Sequence, residues 1–116
     1  MTSKINVGTD IIEVQRFRKK PLEKNKSFYR LLFTKSELMH CVKYKDPYPH
    51  FAGIFAAKES IIKCIKNAPS KMTDIEIVWN KDGKPSGIIS TQKIHNVSIS
   101  ISHTRTIALA VAIILL

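Results

Sequence analysis

Apolar and polar residues alternate near the start of the chain, in residues 5–8. Alternation with a period of two is typical of a β-strand, so we predict a short strand here. Asp10 follows this segment, and Glu13 stands three positions later. That spacing fits a capping box, so we expect a helix to begin at Asp10.

Helical patterns dominate the chain from there to about residue 67. Pro21 divides the first part into a short helix and a second turn near Phe28, because proline cannot continue a helix. Residues 34–37 fit another cap, which opens a helix through Val42. The longest predicted helix covers residues 49–67 and is ended by Pro69. Its apolar stripe consists of Ile54, Ala57, Ile61 and Ile65.

Strand patterns occupy the last third of the chain. Residues 75–79 alternate, and the following turn at 80–85 contains Asp-Gly, a strong hairpin signal. Residues 97–102 alternate strictly, and we expect the apolar run 107–116 to be a buried strand that pairs back on them. Helices followed by an antiparallel sheet predict an α+β fold.

Composition bounds the possible partners. Nineteen Lys and Arg against nine Asp and Glu give a formal net charge of +10, which suits nucleic acid, an anionic membrane, an acidic protein or a phosphate-rich small molecule. With 116 residues, we expect one domain over 1–116. The run 107–116 is about half as long as a membrane helix, and the N-terminus has no signal core, so we predict a cytoplasmic protein. Cys41 and Cys64 lack metal-ligand spacing and are expected to be reduced.

Three places carry residues suited to chemistry: Asp10, Glu59 and residues 102–104. Each also has an ordinary explanation. Asp10 fits a helix N-cap, Glu59 fits an i,i+4 surface pair with Lys63, and His103 fits a solvated loop. Yet Glu59 shares its helical face with apolar residues, where a carboxylate usually has a partner or a cation.

Taken together, these places predict a site that handles phosphates. Two carboxylates from separate elements suit Mg²⁺, which takes its remaining ligands from water and substrate phosphates. Lys58 and Lys63 stand on either side of Glu59 and suit the same phosphates, and residues 102–104 offer further donors. Such a site fits phosphoryl transfer. The sequence contains no Walker A loop and no Gly-rich dinucleotide fingerprint.

At these residues the chain resembles a known family, the small holo-[acyl-carrier-protein] synthases, which are 4′-phosphopantetheinyl transferases. Five segments stand in the family's order: residues 7–13 with the G-x-D motif, 33–38, 55–59 with the F/W-A-x-K-E motif and Lys63 four positions on, 83–85, and 100–104. Each motif alone is weak, but five in order are specific. The resemblance covers essentially the whole chain and implies the family's fold, an antiparallel sheet packed against a long helix.

The resemblance implies a reaction. The phosphopantetheine arm of coenzyme A would move to a serine of an apo acyl carrier protein, with release of 3′,5′-ADP. By carry-over, Asp10 and Glu59 would hold Mg²⁺ against the diphosphate. Glu59 would act as the base, directly or through a water, and Lys63 would neutralise developing negative charge. The implied coenzyme A contacts are Lys58, Lys63, Gly83, Lys84, Pro85, Ser102, His103 and Thr104.

The resemblance also implies partners. Arg16 and Phe28 would receive the acidic carrier protein on the first helical region, where rim charges speed and orient the encounter. A homotrimer with sites at subunit interfaces and a place in fatty acid biosynthesis are implied as well. Two positions depart from the family's pattern, since Ile54 replaces a basic residue and residues 66–71 replace a Gly-rich loop. Both differences concern coenzyme A contacts rather than the metal pair.

A second class of function is a basic binding module without catalysis. It would be either a pseudo-enzyme that docks a carrier protein or a nucleic-acid binder. A nucleic-acid binder would lose affinity steeply with salt and would not need Asp10 or Glu59. The sequence has no RNP-like, KH or zinc-finger signature. The intact acid pair favours the enzyme, and we expect neither nucleic acid nor a membrane as a partner.

Overall fold

The computed structural model describes residues 4–115 and has the predicted α+β architecture. In chain order its elements are β1 (Ile5–Glu13), α1 (Gln15–Arg18), α2 (Lys26–Leu32), α3 (Lys35–Val42), α4 (Tyr48–Ile62), β2 (Ile75–Trp79), β3 (Pro85–Ile89), β4 (Ile94–His103) and β5 (Ile107–Leu115). Short 3₁₀ turns lie at Leu22–Lys24, Met72–Asp74 and Ser90–Gln92.

Several local predictions are confirmed. Pro21 separates α1 from α2, as a ring without an N–H requires. A capping box opens α3, in which the Thr34 hydroxyl accepts from the Glu37 N–H and a Glu37 carboxylate oxygen accepts from the Thr34 N–H. The hairpins between β2 and β3 and between β4 and β5 form where the turn signals lie.

The prediction of a helix beginning at Asp10 is wrong. Asp10 and Glu13 both lie within β1, which pairs with β5 along its whole length, from Ile5 opposite Leu115 to Glu13 opposite Ile107. Hydrogen bonds to β5 satisfy the backbone N–H and C=O groups of this segment. No helix begins here, so Asp10 has no helix N-terminus to cap. The sheet is consequently not confined to the last third of the chain.

The five strands form one antiparallel sheet in the order β1-β5-β4-β3-β2, so the two ends of the chain pair at its β1 side. Alternate residues of each strand point to opposite faces. The inner face is covered by α4, whereas the outer face of β1 and β5 is apolar and exposed. The prediction that 107–116 is a buried strand therefore holds for one face only, and Leu116 lies outside the described residues.

Small residues allow α4 to lie directly on the sheet. Beneath it, β5 presents Ala108, Ala110 and Ala112, all fully buried. A Cβ on Gly8 of β1 would lie 2.0 Å from the Ser60 carbonyl oxygen of α4, so only glycine fits this crossing. At the other end of the crossing, a Cβ on Gly53 would lie 2.9 Å from a methyl group of Ile101. The two glycines thus fix where α4 crosses β1 and β4.

The long helix ends earlier than its sequence predicts. It runs from Tyr48 to Ile62, and the prediction that it continues to residue 67 is wrong. After Ile62 the chain leaves the α-helical conformation. The Asn6 side-chain amide of β1 donates to the Cys64 carbonyl oxygen at 2.8 Å. A contact between residues distant in sequence therefore replaces the helical bonds that would have extended α4.

Cys41 and Cys64 are both free and buried, as expected for reduced structural cysteines. Within residues 4–115, no helix combines the length and the apolar character that crossing a bilayer requires.

Candidate active site

The crossing of β1 over α4 brings the first two motifs together. Asp10 lies two residues after Gly8 on the same inner face of β1, beside the C-terminal half of α4. The Lys63 ammonium donates to the Thr9 carbonyl oxygen at 2.7 Å and lies 3.4 Å from the Asp10 carboxylate. The structure thus places Asp10 and Lys63, far apart in sequence, in direct contact.

Glu59 stands one turn before Lys63 on α4, so the two side chains share one flank of the helix. In the described structure, Lys63 forms its ion pair with Asp10 and not with Glu59, so the expected surface pair is wrong. Glu59 is half-buried, and no ion pair or side-chain hydrogen bond within residues 4–115 involves its carboxylate. Glu59 therefore has unused acceptor capacity on the flank of α4 that leads to Lys63, whose ammonium contacts Asp10.

The chemistry of these donors fits a hard divalent cation. Mg²⁺ is usually bound by one or two carboxylates, with water and substrate phosphates completing its shell. The site offers two carboxylates, and no cluster of three or more His, Cys, Asp or Glu arranged for a metal occurs among the described residues. This donor set leaves coordination positions for substrate oxygens and lacks the nitrogen and sulfur ligands of zinc sites.

Lys58 contradicts its predicted role in cofactor binding. Its side chain is fully buried between α3 and α4, where the ammonium lies 2.6 Å from the equally buried Glu37 carboxylate. The ammonium also donates to the carbonyl oxygens of Leu32 and Met72. Burial lowers the pKa of Lys58 and raises that of Glu37, and the attraction between the two charges opposes both shifts. Lys58 therefore has a structural role in this fold.

A cleft of about 430 Å³ lies on the other side of α4, between α3, α4, β4 and the β2–β3 hairpin. Basic and aromatic side chains line it: His40, Lys43, Tyr44, His50, Trp79 and His103. The His40 ring stacks on Trp79 at 3.7 Å, and the His50 ring stacks on Tyr44 at 3.6 Å. Such a volume is typical of small-molecule sites.

The β2–β3 hairpin contributes two of the predicted cofactor residues to this cleft. Gly83 has a φ of +81°, which favours glycine, and the Asn80 carboxamide oxygen accepts from the Asp82 and Lys84 N–H groups. Gly83 and Pro85 line the cleft. Lys84 instead lines a neighbouring depression that reaches the serines of β4 on the outer face of the sheet.

The third motif is divided between the two faces at the end of β4. His103 shares the inner face with Ile101 and lines the cleft, whereas the exposed Ser102 points to the outer face. The Thr104 hydroxyl accepts from the N–H groups of Thr106 and Ile107, so it shapes the turn into β5. The three neighbours therefore do not converge on one point within a single chain.

The acid pair and the cleft lie on opposite flanks of α4. At about 3.6 residues per turn, residues 50 and 59 are roughly half a turn apart around the helix axis. His50 lines the cleft, while Glu59 stands one turn before Lys63, whose ammonium contacts Asp10. One chain consequently presents the two halves of the predicted site on two different sides.

The predicted docking residues lie on the surface formed by α1 and α2. Arg16 is exposed, and its guanidinium carbon is 4.9 Å from the centre of the Phe55 ring, one helical turn before Glu59. Phe28 is half-buried, with its ring 6.3 Å from Phe17 and the Lys20 ammonium 4.4 Å above it. This surface combines cationic groups with a partly exposed apolar ring.

Sequence reasoning did not single out five basic or aromatic residues of the cleft: His40, Lys43, Tyr44, His50 and Trp79. They come from the end of α3, the following loop, the start of α4 and the end of β2. No spacing rule links these positions, because the packing of α3 and β2 around α4 brings them together. An accumulation of aromatic and basic residues between 40 and 50 is the one local signal.

The site and the fold together define a class of protein: an α+β domain with an acid pair, a lysine and a basic cleft suited to a phosphate-rich co-substrate. The sequence pattern of the 4′-phosphopantetheinyl transferase superfamily matches residues 6–112. The chain therefore belongs to this superfamily.

Similar proteins agree with this assignment. The holo-[acyl-carrier-protein] synthase of Caldanaerobacter subterraneus is 42% identical over 94% of this chain and 93% of its own. That of Chlamydia caviae is 38% identical over 96% and 97%. The crystal structure of a Bacillus anthracis holo-(acyl-carrier-protein) synthase in complex with CoA (3′,5′-ADP) has 30% identity and a TM-score of 0.81, over 98% of both chains. The Helicobacter pylori enzyme in complex with coenzyme A has 27% identity and a TM-score of 0.80, covering 95% of this chain and 99% of its own.

Proposed function

We propose that this protein transfers the 4′-phosphopantetheine group of coenzyme A to a serine of an apo acyl carrier protein, with Mg²⁺ as cofactor and 3′,5′-ADP as the second product. The observation that carries the proposal is the contact of Lys63 with Thr9 and Asp10, which joins the first two motifs at one edge of α4. Full-length relatives that are holo-[acyl-carrier-protein] synthases support it.

The chemistry of each residue follows from its surroundings. Asp10 and Glu59 would hold the ion, which when bound would neutralise diphosphate charge and orient the co-substrate. The Glu59 carboxylate accepts the proton of the attacking serine hydroxyl as the serine oxygen bonds to the β-phosphorus. The bond from that phosphorus to the bridging oxygen breaks, and 3′,5′-ADP leaves. Lys63 has three N–H donors, two of which face Thr9 and Asp10, so one remains for a diphosphate oxygen.

The cleft on the opposite flank of α4 suits the nucleotide part of coenzyme A. Gly83 and Pro85 form one wall beside the aromatic side chains, and His103 faces the same space. Because the acid pair lies on the other flank, we propose that each complete site joins the cleft of one subunit to the acid pair of its neighbour. Lys84, Ser102 and the Thr104 turn would then approach the cofactor from the outer face.

The outer face of the sheet supports a homotrimer. Val7, Ile11, Leu109 and Ile113 form neighbouring cross-strand pairs, and each is between 41% and 63% exposed. A continuous exposed apolar patch of this kind marks an interaction surface. Light scattering of the purified protein is expected to give a trimer mass that Leu109→Lys reduces to that of the monomer. A monomer for the unmodified protein would contradict this part of the proposal.

The carrier protein is proposed to dock on α1 and α2. Arg16 and Lys20 supply positive charge around the Phe28 ring, in the position that the resemblance assigns to the acidic partner. The contact between Arg16 and Phe55, which stands one helical turn before Glu59, supports this docking surface. We propose the cytoplasm, where coenzyme A and carrier proteins meet, as the location of the reaction.

The direct test is the intact mass of an apo carrier protein after incubation with the protein, coenzyme A and Mg²⁺. We expect the carrier to gain the phosphopantetheine arm. Asp10→Asn and Glu59→Gln are expected to abolish the gain, while Glu13→Gln, an exposed acid on the same strand, leaves it unchanged. Absence of the gain with the unmodified protein across several carriers would contradict the proposed function. Near-normal turnover by either acid variant would contradict the assigned roles.

A further inference from the structure

Two arginines stand two residues apart in α1, and their guanidinium groups contact different parts of the molecule. Arg16 lies over the Phe55 ring in the middle of α4. Arg18 lies near the Tyr48 ring at the start of α4, with its guanidinium carbon 5.9 Å from the ring centre. Residues two apart on a helix are roughly 200° apart around its axis, so the two cations face different surfaces.

Arg18 bridges two segments that are distant from it in sequence. Its guanidinium donates to both carboxylate oxygens of Asp46, at 3.0 and 2.8 Å, and one of the same nitrogens donates to the Arg105 carbonyl oxygen at 3.1 Å. Asp46 lies in the loop before α4, and Arg105 lies in the turn between β4 and β5. A planar guanidinium suits such a bridge, because its donors have fixed directions. One side chain of α1 thus joins the loop to the turn.

The turn that Arg18 contacts begins with Thr104 of the third motif. The next two carbonyl groups of the turn are bound from the side of α1. The Arg105 carbonyl oxygen accepts from Arg18, and the Thr106 carbonyl oxygen accepts from the Val14 N–H at 2.9 Å. The second bond joins two backbone groups, so a substitution at Arg18 leaves it in place and removes only the first.

The charge of Arg18 is already compensated, which distinguishes it from Arg16. Arg18 forms an ion pair with Asp46, whereas no carboxylate within residues 4–115 pairs with Arg16. A compensated cation attracts an acidic partner less than a free one does. The composition of α1 suggests two equivalent docking arginines, but their contacts favour docking for Arg16 and a different role for Arg18.

We propose that Arg18 is a positioning residue for coenzyme A binding, because it fixes the β4–β5 turn and with it Thr104. The inference rests on the function proposed above, in which this turn approaches the co-substrate. Arg18 itself touches no substrate and acts only through the turn. The helix that receives the carrier protein therefore also holds part of the coenzyme A site in place.

The test measures the affinity for coenzyme A by isothermal titration calorimetry and the KM for an apo carrier protein by the mass assay. Arg18→Met removes all three bonds, and Arg18→Lys keeps the charge but cannot reach the three acceptors at once. We expect both variants to bind coenzyme A about three- to fivefold more weakly, a loss typical of an exposed pair. The KM for the carrier is expected to change less than about twofold.

Two further variants of α1 and its C-cap provide the matched comparison. Arg16→Met is expected to show the opposite pattern, with a carrier KM raised about fivefold or more and an unchanged affinity for coenzyme A. Lys19 is exposed, and its side chain forms no ion pair within residues 4–115. Lys19→Met is therefore the control, and we expect it to bind coenzyme A like the unmodified protein.

Hydrogen exchange reports on the turn directly. The N–H groups of Thr106 and Ile107 donate to the Thr104 hydroxyl. We expect these two amides to exchange faster in Arg18→Met and Arg18→Lys, while the amides of the sheet core exchange as before. Faster exchange spread evenly over the sheet would overturn the inference, because it would indicate a loss of global stability instead of a released turn.

Unchanged affinity for coenzyme A in a folded Arg18→Met would also overturn the inference. So would a carrier KM that rises in Arg18→Met and returns to normal in Arg18→Lys, because Arg18 would then be a docking cation. The mass assay distinguishes these failures from failure of the proposed function. If the unmodified protein modifies a carrier but the Arg18 variants bind coenzyme A normally, only the present inference is wrong. If it modifies no carrier and binds no coenzyme A, both are wrong.

Discussion

The interior between α3 and α4 and the edge between α4 and β1 use the same kinds of residue for different purposes. In the interior, Lys58 and Glu37 are fully buried and form a close ion pair. At the edge, the Lys63 side chain is 54% exposed and lies 3.4 Å from Asp10. Lys58 lies in α4 and Lys63 directly follows its last residue, and both belong to the segment that resembles one family motif. Burial, rather than residue type or spacing, separates the structural lysine, Lys58, from Lys63, for which we propose a role in the reaction.

The two pairs differ in what happens when one partner is lost. A buried charge left without its partner has no water to stabilise it, whereas an exposed charge is readily hydrated. We therefore expect substitutions in the interior to change the free energy of unfolding, and substitutions at the edge to change the rate of transfer. Three predictions follow this comparison from the largest effect to the smallest.

Lys58→Met is expected to lower the free energy of unfolding by about 3–5 kcal/mol, because it leaves the Glu37 carboxylate buried without a counter-charge. Denaturant titration measures this loss. Adding Glu37→Gln to Lys58→Met is expected to recover part of it by removing the unpaired charge. A loss below about 1 kcal/mol for Lys58→Met would contradict this prediction, because it is the size of effect expected for an exposed ion pair.

Lys63→Met is expected to reduce the rate of transfer by about 10²–10³-fold, because in the proposed mechanism it removes a donor to the developing charge. The same substitution should change the free energy of unfolding by no more than about 1 kcal/mol, as for other exposed pairs. Lys35→Met, an exposed lysine at the start of α3, is the control and should retain normal transfer. A large loss of stability with normal transfer in Lys63→Met would reverse the comparison.

The exposed ion pair between Arg18 and Asp46 is expected to have the smallest effect on the free energy of unfolding. Its two hydrogen bonds of 3.0 and 2.8 Å lower the pKa of Asp46. The pair therefore stabilises the folded state at pH values above the ordinary pKa of aspartate. This stabilisation is lost as the pH falls through the lowered pKa of Asp46. Asp46→Asn is expected to cost at most about 1 kcal/mol at pH 7, and the cost should shrink below about pH 4 and in high salt. A cost independent of pH would contradict this assignment.

Two capping patterns show what local sequence can predict. Thr34 and Glu37 form the capping box that their spacing predicts, because α3 begins there and both partners lie within one turn. Asp10 and Glu13 have the same spacing but lie in β1, because a partner strand at the far end of the chain extends the ladder through both of them. Local spacing therefore predicts a cap well only where no distant strand competes for the backbone.

The site shows the same division. Asp10, Glu59 and Lys63 stand in recognisable motifs, and the close contact at Gly8 explains why the first motif requires a glycine. Lys58 has an equally recognisable position, yet its burial depends on the packing of α3 against α4. The aromatic and histidine lining of the cleft comes from separate elements, so only the folded chain reveals it.

The central claim is that Asp10 and Glu59 together hold one divalent ion, and calorimetric titration with Mg²⁺ in the presence of coenzyme A tests it most directly. We expect the unmodified protein and Glu13→Gln to bind one equivalent per site, and Asp10→Asn and Glu59→Gln each to lose about tenfold or more in affinity. Unchanged Mg²⁺ affinity in both folded acid variants would contradict the claim.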